Sequence, residues 1–166
     1  WEMLKKFKPT EKVERTDNEK IIQTIKTSMN KITDKNYDAM LEAILVDMEK
    51  LEGTEEMTIV QDAIFNTAST NRFYSKVYAK LYSRFIEKYP YFRERIDKEI
   101  ATYLSNYTTI QNVNPDEDYE LFCDVNKENE RRKALTEFFV NLMFEGVVES
   151  GLIVESFYKL YDVLTS

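Results

Sequence analysis

Apolar residues recur along this chain at steps of three and four almost from end to end, and strict alternation is hard to find. That step is the helical period, so the pattern predicts an all-α protein. Ile21, Ile22, Ile25, Met29 and Ile32 form a first stripe, opened by Thr16, Asp17, Asn18 and Glu19, which read as a capping box. After Thr33 a second stripe runs through Tyr37, Met40, Leu41, Ile44, Leu45, Met48 and Leu51, and Gly53 stands where a helix end calls for a left-handed residue. Thr54 is placed to cap a third helix bearing Val60, Ala63, Ile64 and Ala68. The Ser69, Thr70, Asn71 turn leads to a fourth with Phe73, Val77, Leu81 and Phe85, closed by Pro90. A fifth carries Phe92, Ile96, Ile100, Leu104 and Tyr107. From Asn112 through Pro115 an acidic run extends to Glu120, the only long linker the pattern shows. Leu135, Phe138, Phe139, Leu142 and Met143 mark a sixth helix, and a seventh runs from about Leu152 with Ile153, Phe157, Leu160, Tyr161 and Leu164.

The first, third and fifth helices begin near residues 18, 55 and 91, so pairs of helices recur about every 36 residues. Each pair has an apolar face that only the next pair covers, and short connections make neighbours antiparallel. The expected architecture is an α-solenoid of three antiparallel helix pairs plus one extra helix. A six-helix globule has the same periodicity, and the even spacing favours the solenoid. Residues 1–16 read as an extended N-terminal segment and 17–166 as a single domain.

Composition narrows the chemistry. Among 166 residues, 43% hydrophobic and 32% charged, there are three glycines, one cysteine and no histidine. Histidine triads, imidazole acid/base work and histidine zinc sites are excluded, as are most phosphate-cradling loops. A lone Cys123 forms no internal disulfide, which fits a reducing, cytoplasmic setting and reads as a core thiol. The net charge of −7 disfavours bulk attraction to nucleic acid, so any polyanion site must be a local patch. No apolar run is long enough to span a membrane, and no signal-peptide pattern opens the chain. It starts at Trp1 rather than methionine, which points to residues upstream.

Three local patterns appear in a suggestive order. They are Asn30, Lys31, Ile32, Thr33; then Ile64 and Phe65 through Ala68 to Phe73, with Tyr78, Ala79, Lys80, Leu81; then Arg131 and Arg132 followed by Phe139, Val140 and Phe144. Together they resemble the middle domain of eukaryotic translation initiation factor 4G. Phe7, Lys8 and Pro9 are similar to the segment that precedes the first helix in some members. Leu135 and Thr136 depart from a Gly-Asn pair, Asn141 and Leu142 from Gly-Glu, and Lys98 and Glu99 from Asn-Arg. The resemblance implies HEAT-type hairpin repeats, of which this chain would be the N-terminal part or a shortened version. It further implies a non-enzymatic scaffold, without a cofactor, that binds the two lobes of a DEAD-box RNA helicase of the initiation factor 4A type. A cap-binding protein would be engaged through residues upstream of Trp1.

Three groups of residues are candidates for contact. Trp1, Leu4 and Phe7, interleaved with Lys5, Lys6 and Lys8, lie before any capped helix and suit docking on a partner, or folding back on the first helix. Arg72, Lys76, Lys80, Arg84 and Lys88 are spaced four apart and form one basic row on the fourth helix. Such a row calls for RNA or an acidic partner, or for neutralisation by acids of adjacent helices. Arg131, Arg132 and Lys133 open the sixth helix, where cations oppose the dipole, so they serve acids of the Asp116, Glu117, Asp118 loop or a partner. That loop lacks a calcium-binding pattern. The leading expectation is a translation initiation scaffold. The alternatives are a related scaffold in mRNA decay, splicing or deadenylation, and a direct RNA-binding module working through the basic row. An enzyme is the weakest candidate.

Overall fold

A computed structural model describes residues 15–105 and 113–165. Among the described residues the protein is all-α, with helices α1 (Asp17–Lys31), α2 (Tyr37–Glu49), α3 (Glu56–Thr70), α4 (Ser75–Lys88), α5 (Tyr91–Ser105), α6 (Tyr119–Phe144) and α7 (Ser150–Thr165), and no strand. None of these helices is long and apolar enough to cross a membrane.

Local chemistry sets most of the boundaries. Thr16 and Glu19 form the expected capping box: the Thr16 hydroxyl accepts the Glu19 N–H at 3.2 Å, and the Glu19 carboxylate accepts the Thr16 N–H at 2.8 Å. Asn36 ties the α1–α2 turn, accepting the Thr33 N–H at 2.6 Å and donating to the Lys31 carbonyl at 2.9 Å. Gly53 has a φ of 79°, the left-handed backbone expected after α2. Thr54 does not cap α3; its hydroxyl turns back to the Leu51 carbonyl at 2.7 Å, and α3 begins at Glu56. Asp118 starts α6 by accepting the Leu121 N–H at 2.9 Å, so this helix opens inside the acidic run rather than after it. Its far end is a Schellman motif: Gly146, at φ 74°, donates to Met143, and Val147 donates to Leu142 at 2.9 Å.

Contacts follow chain order through the first two pairs. α1 packs on α2 and on α3, α2 on α4, and α3 on α4, so the second pair lies against the first. The most extensive contact joins α4 to α6, and α6 also lies on α3. It does so because Ala134, Phe138, Phe139 and Leu142, at helical spacing, are all buried along one side of α6. α5 rests on α4 and α7, and it reaches α6 through Tyr103, whose ring meets Phe139 edge-on at 5.3 Å and whose hydroxyl bonds Thr136. Among the described residues α1 and α6 share no extended contact.

Four helices meet at one aromatic cluster. Phe65 of α3, Tyr82 of α4 and Phe138 of α6 face one another edge-on with centroids 5.8 to 6.3 Å apart, and Phe92 of α5 meets Tyr82 at 5.5 Å. All four are buried, each worth about 1.5–3 kcal/mol in area removed from water. Three members of the apolar stripes fall elsewhere. Phe73 precedes α4 and is 87% exposed, and on α7 the inward position is held by Ser156 while Phe157 and Tyr161 face outward. Tyr107 lies outside the described residues.

Candidate functional site

Three of the five cations of the basic row are paired with acids, two with acids of the helices on either side of α4 and one within α4 itself. Arg72 stands just before α4 rather than on it, and its guanidinium binds Glu137 of α6 at 3.1 Å with Glu130 at 3.7 Å. Lys88 pairs with Glu49 of α2, and this hydrogen bond raises its pKa. Arg84 pairs with Glu87 at 2.7 Å, which likewise holds its pKa up. Lys80 sits 4.0 Å from the centre of the Tyr37 ring. Lys76 is exposed and belongs to no ion pair among the described residues. Of the two meanings open to such a row, the geometry gives neutralisation for Arg72, Arg84 and Lys88 and leaves Lys76 and Lys80 facing solvent.

Arg131 and Arg132 do not open the sixth helix. Because Asp118 starts α6 at Tyr119, both arginines lie mid-helix, where the dipole of the helix end no longer acts on them. They serve acids of their own helix instead of the acidic loop: Arg131 reaches Glu128 at 3.9 Å, and Lys133 holds Glu130 at 2.6 Å. Arg132 is mostly buried and donates to Asn129 at 2.8 Å, while its Nε makes no hydrogen bond and stands 4.0 Å from the Glu128 carboxylate. Arg131 and Arg72, from two different candidate groups, come together on one open groove of about 730 Å³ between the end of α3 and α6, beside Lys127 and the half-buried Cys123. Three cations line it, yet Glu130 is within it and Asp124 holds Lys127 at 2.9 Å. Trp1, Leu4 and Phe7 lie outside the described residues.

Two residues that the sequence places in the helical patterns, and not among the contact candidates, dominate the exposed apolar surface. Phe73 is 87% and Phe144 76% exposed, more than any other large hydrophobic side chain described. Phe73 packs edge-on against Tyr74 at 4.9 Å. The adjacency of Phe73 to Arg72 and Asn71, turn and charge rather than core, was the signal available for it. Phe144 follows Met143 at the C-terminal edge of its stripe and belongs to the third resembling pattern, which gives no sign of its exposure.

Tyr37 lies beneath the row with its hydroxyl unpaired, and burial pushes its pKa up to about 12, with Arg84 pulling the other way. Among the described residues no three metal-ligating side chains gather. Comparison with protein-family models, with curated proteins and with solved structures yields no match for this chain.

Proposed function

We propose that this chain is a helical scaffold for a DEAD-box RNA helicase of the initiation factor 4A type, acting in translation initiation in the cytoplasm. Support comes from where the resembling residues stand. Of the apolar positions among them, Ile32, Ile64, Phe65, Ala68, Tyr78, Ala79, Leu81 and Phe139 are buried, whereas Phe73 and Phe144 face outward. The Tyr78 hydroxyl donates to the Met29 carbonyl at 3.1 Å, tying the helix of the second pattern to the end of the helix that carries the first. The likeness therefore lies mostly in how the helices pack, with Phe73 and Phe144 on the outer surface.

The observation that carries a protein partner over RNA is the pairing of the basic row. Arg72, Arg84 and Lys88 are held by Glu137, Glu87 and Glu49, so only two cations of the five remain for phosphates, whose contacts supply most nonspecific RNA affinity. Direct RNA binding is accordingly the lesser reading. A related scaffold in mRNA decay, splicing or deadenylation shares the same module and differs in the helicase it would hold.

In this role the chain performs no bond chemistry. It raises helicase turnover only by binding the poised lobe arrangement more tightly than the splayed one, since equal affinity shifts no population. Calorimetric titration of a purified initiation-factor-4A-type helicase tests the reading. Binding is expected, and it should tighten with an ATP analogue and RNA present. Absence of binding in both conditions overturns it.

A further inference from the structure

The two most exposed large hydrophobic side chains are Phe73, just before α4, and Phe144, the last residue of α6. Glu137, Asn141 and Phe144 follow one another at steps of four and three, so they share one face of α6. Glu137 binds Arg72, the residue next to Phe73, and Asn141 donates to Ser75 at 3.0 Å at the start of α4. One step further along α6, Glu145 acts electrostatically on Arg84 and Tyr37. The last turn of α6 thus runs beside α4 from Ser75 toward Arg84, and Lys76 and Lys80 lie on α4 within that interval. These are also the two cations of the row that no acid neutralises among the described residues.

Two phenylalanine rings without a polar handle and two lysines in no ion pair, Lys80 with its ammonium over the Tyr37 ring, stand at this side of the molecule on a chain with net charge −7. Water-exposed rings of this size cost free energy that a partner recovers by covering them. From this arrangement we infer that the α4–α6 seam is a docking surface for an acidic protein segment, one whose bulky apolar side chains cover Phe73 and Phe144 while its carboxylates meet Lys76 and Lys80. Two lysines are too few to track an RNA backbone, where affinity accumulates over many phosphates, and they match the charge of a short acidic motif. The inference rests on the scaffold reading and gives that scaffold its contact face.

Three single variants, Phe73→Ala, Phe144→Ala and Lys76→Glu, test the seam, and all three positions are exposed, so the fold tolerates them. The probes are the helicase by calorimetry and, by fluorescence anisotropy, a labelled oligouridylate and a pair of labelled helical peptides with leucines at i and i+4, flanked by glutamates in one and lysines in the other. The glutamate peptide is expected to bind about tenfold tighter than the lysine peptide, and each phenylalanine variant to lose about tenfold. Lys76→Glu should abolish the preference between them. Equal binding of the two peptides, or binding indifferent to all three variants, overturns the seam. An oligouridylate that binds and is lost in the same variants overturns it in favour of RNA. Helicase binding that persists undiminished in every variant sinks the seam and leaves the scaffold. Seam-dependent peptide binding without helicase binding does the reverse.

Discussion

The hydroxyl of Tyr78 in α4 donates to the carbonyl of Met29 in α1 at 3.1 Å, and the same carbonyl accepts the Ile32 N–H at 3.2 Å. One oxygen therefore ends α1 and anchors α4 to it. Removing the hydroxyl leaves that oxygen still bonded, so Tyr78→Phe forfeits a net hydrogen bond without stranding a buried acceptor. The expected cost is about 1 kcal/mol, read as a lower urea midpoint with an unchanged m value.

A larger loss is expected at the aromatic junction. Phe138 is fully buried and meets both Phe65 and Tyr82 edge-on, so Phe138→Ala opens a cavity where α3, α4 and α6 meet and costs about 3–5 kcal/mol. Phe73→Ala, at an 87% exposed ring, changes stability by less than about 0.5 kcal/mol. Denaturation of the two variants side by side checks the contrast.

Charge reversal separates the paired cations from the free ones. Arg72→Glu faces Glu130 and Glu137, and Lys88→Glu faces Glu49, so each lowers Tm. Added salt should shrink those losses through screening. Lys76→Glu, with no acid in an ion pair to oppose it, leaves Tm unchanged. Equal losses in all three variants would mean that the row acts as one field rather than as separate pairs.

Alkaline titration reads the buried phenols. Burial raises the Tyr37 pKa from its ordinary value near 10 to about 12, and raises that of Tyr82 as well. The folded chain thus holds a proton that the unfolded chain releases between those pH values. The resulting stability is complete below pH 10 and is lost as pH rises through 12, by up to about 1.4 kcal/mol per pH unit for each such phenol. Tyr37→Phe should flatten the fall in Tm between pH 10 and 12.

Much of the helical order is legible in the apolar stripes, because α1, α2 and α4 bury one face and expose the other at constant spacing. The start of α6 is not. Its first half carries no buried residue and is held by ion pairs such as Lys127 with Asp124 and Lys133 with Glu130, so hydrophobic period is silent there. That silence turns a helix into a linker and moves Arg131 and Arg132 to a helix start they do not occupy. Phe73 fits the α4 stripe by spacing alone, yet the Asn71 carboxamide accepts the Tyr74 N–H at 3.3 Å and delays the helix past it. Neutralisation of the basic row is equally invisible in one dimension, since Glu49 and Glu137 lie far from Lys88 and Arg72 in sequence.

ATP turnover by a purified initiation-factor-4A-type helicase at saturating RNA, measured while this chain is titrated in, tests the scaffold directly. A saturable rise in kcat is expected, reached at the concentrations where calorimetry shows binding, because a scaffold of this kind favours the poised lobes. Unchanged turnover across the full range of binding, or no binding at all, would contradict it.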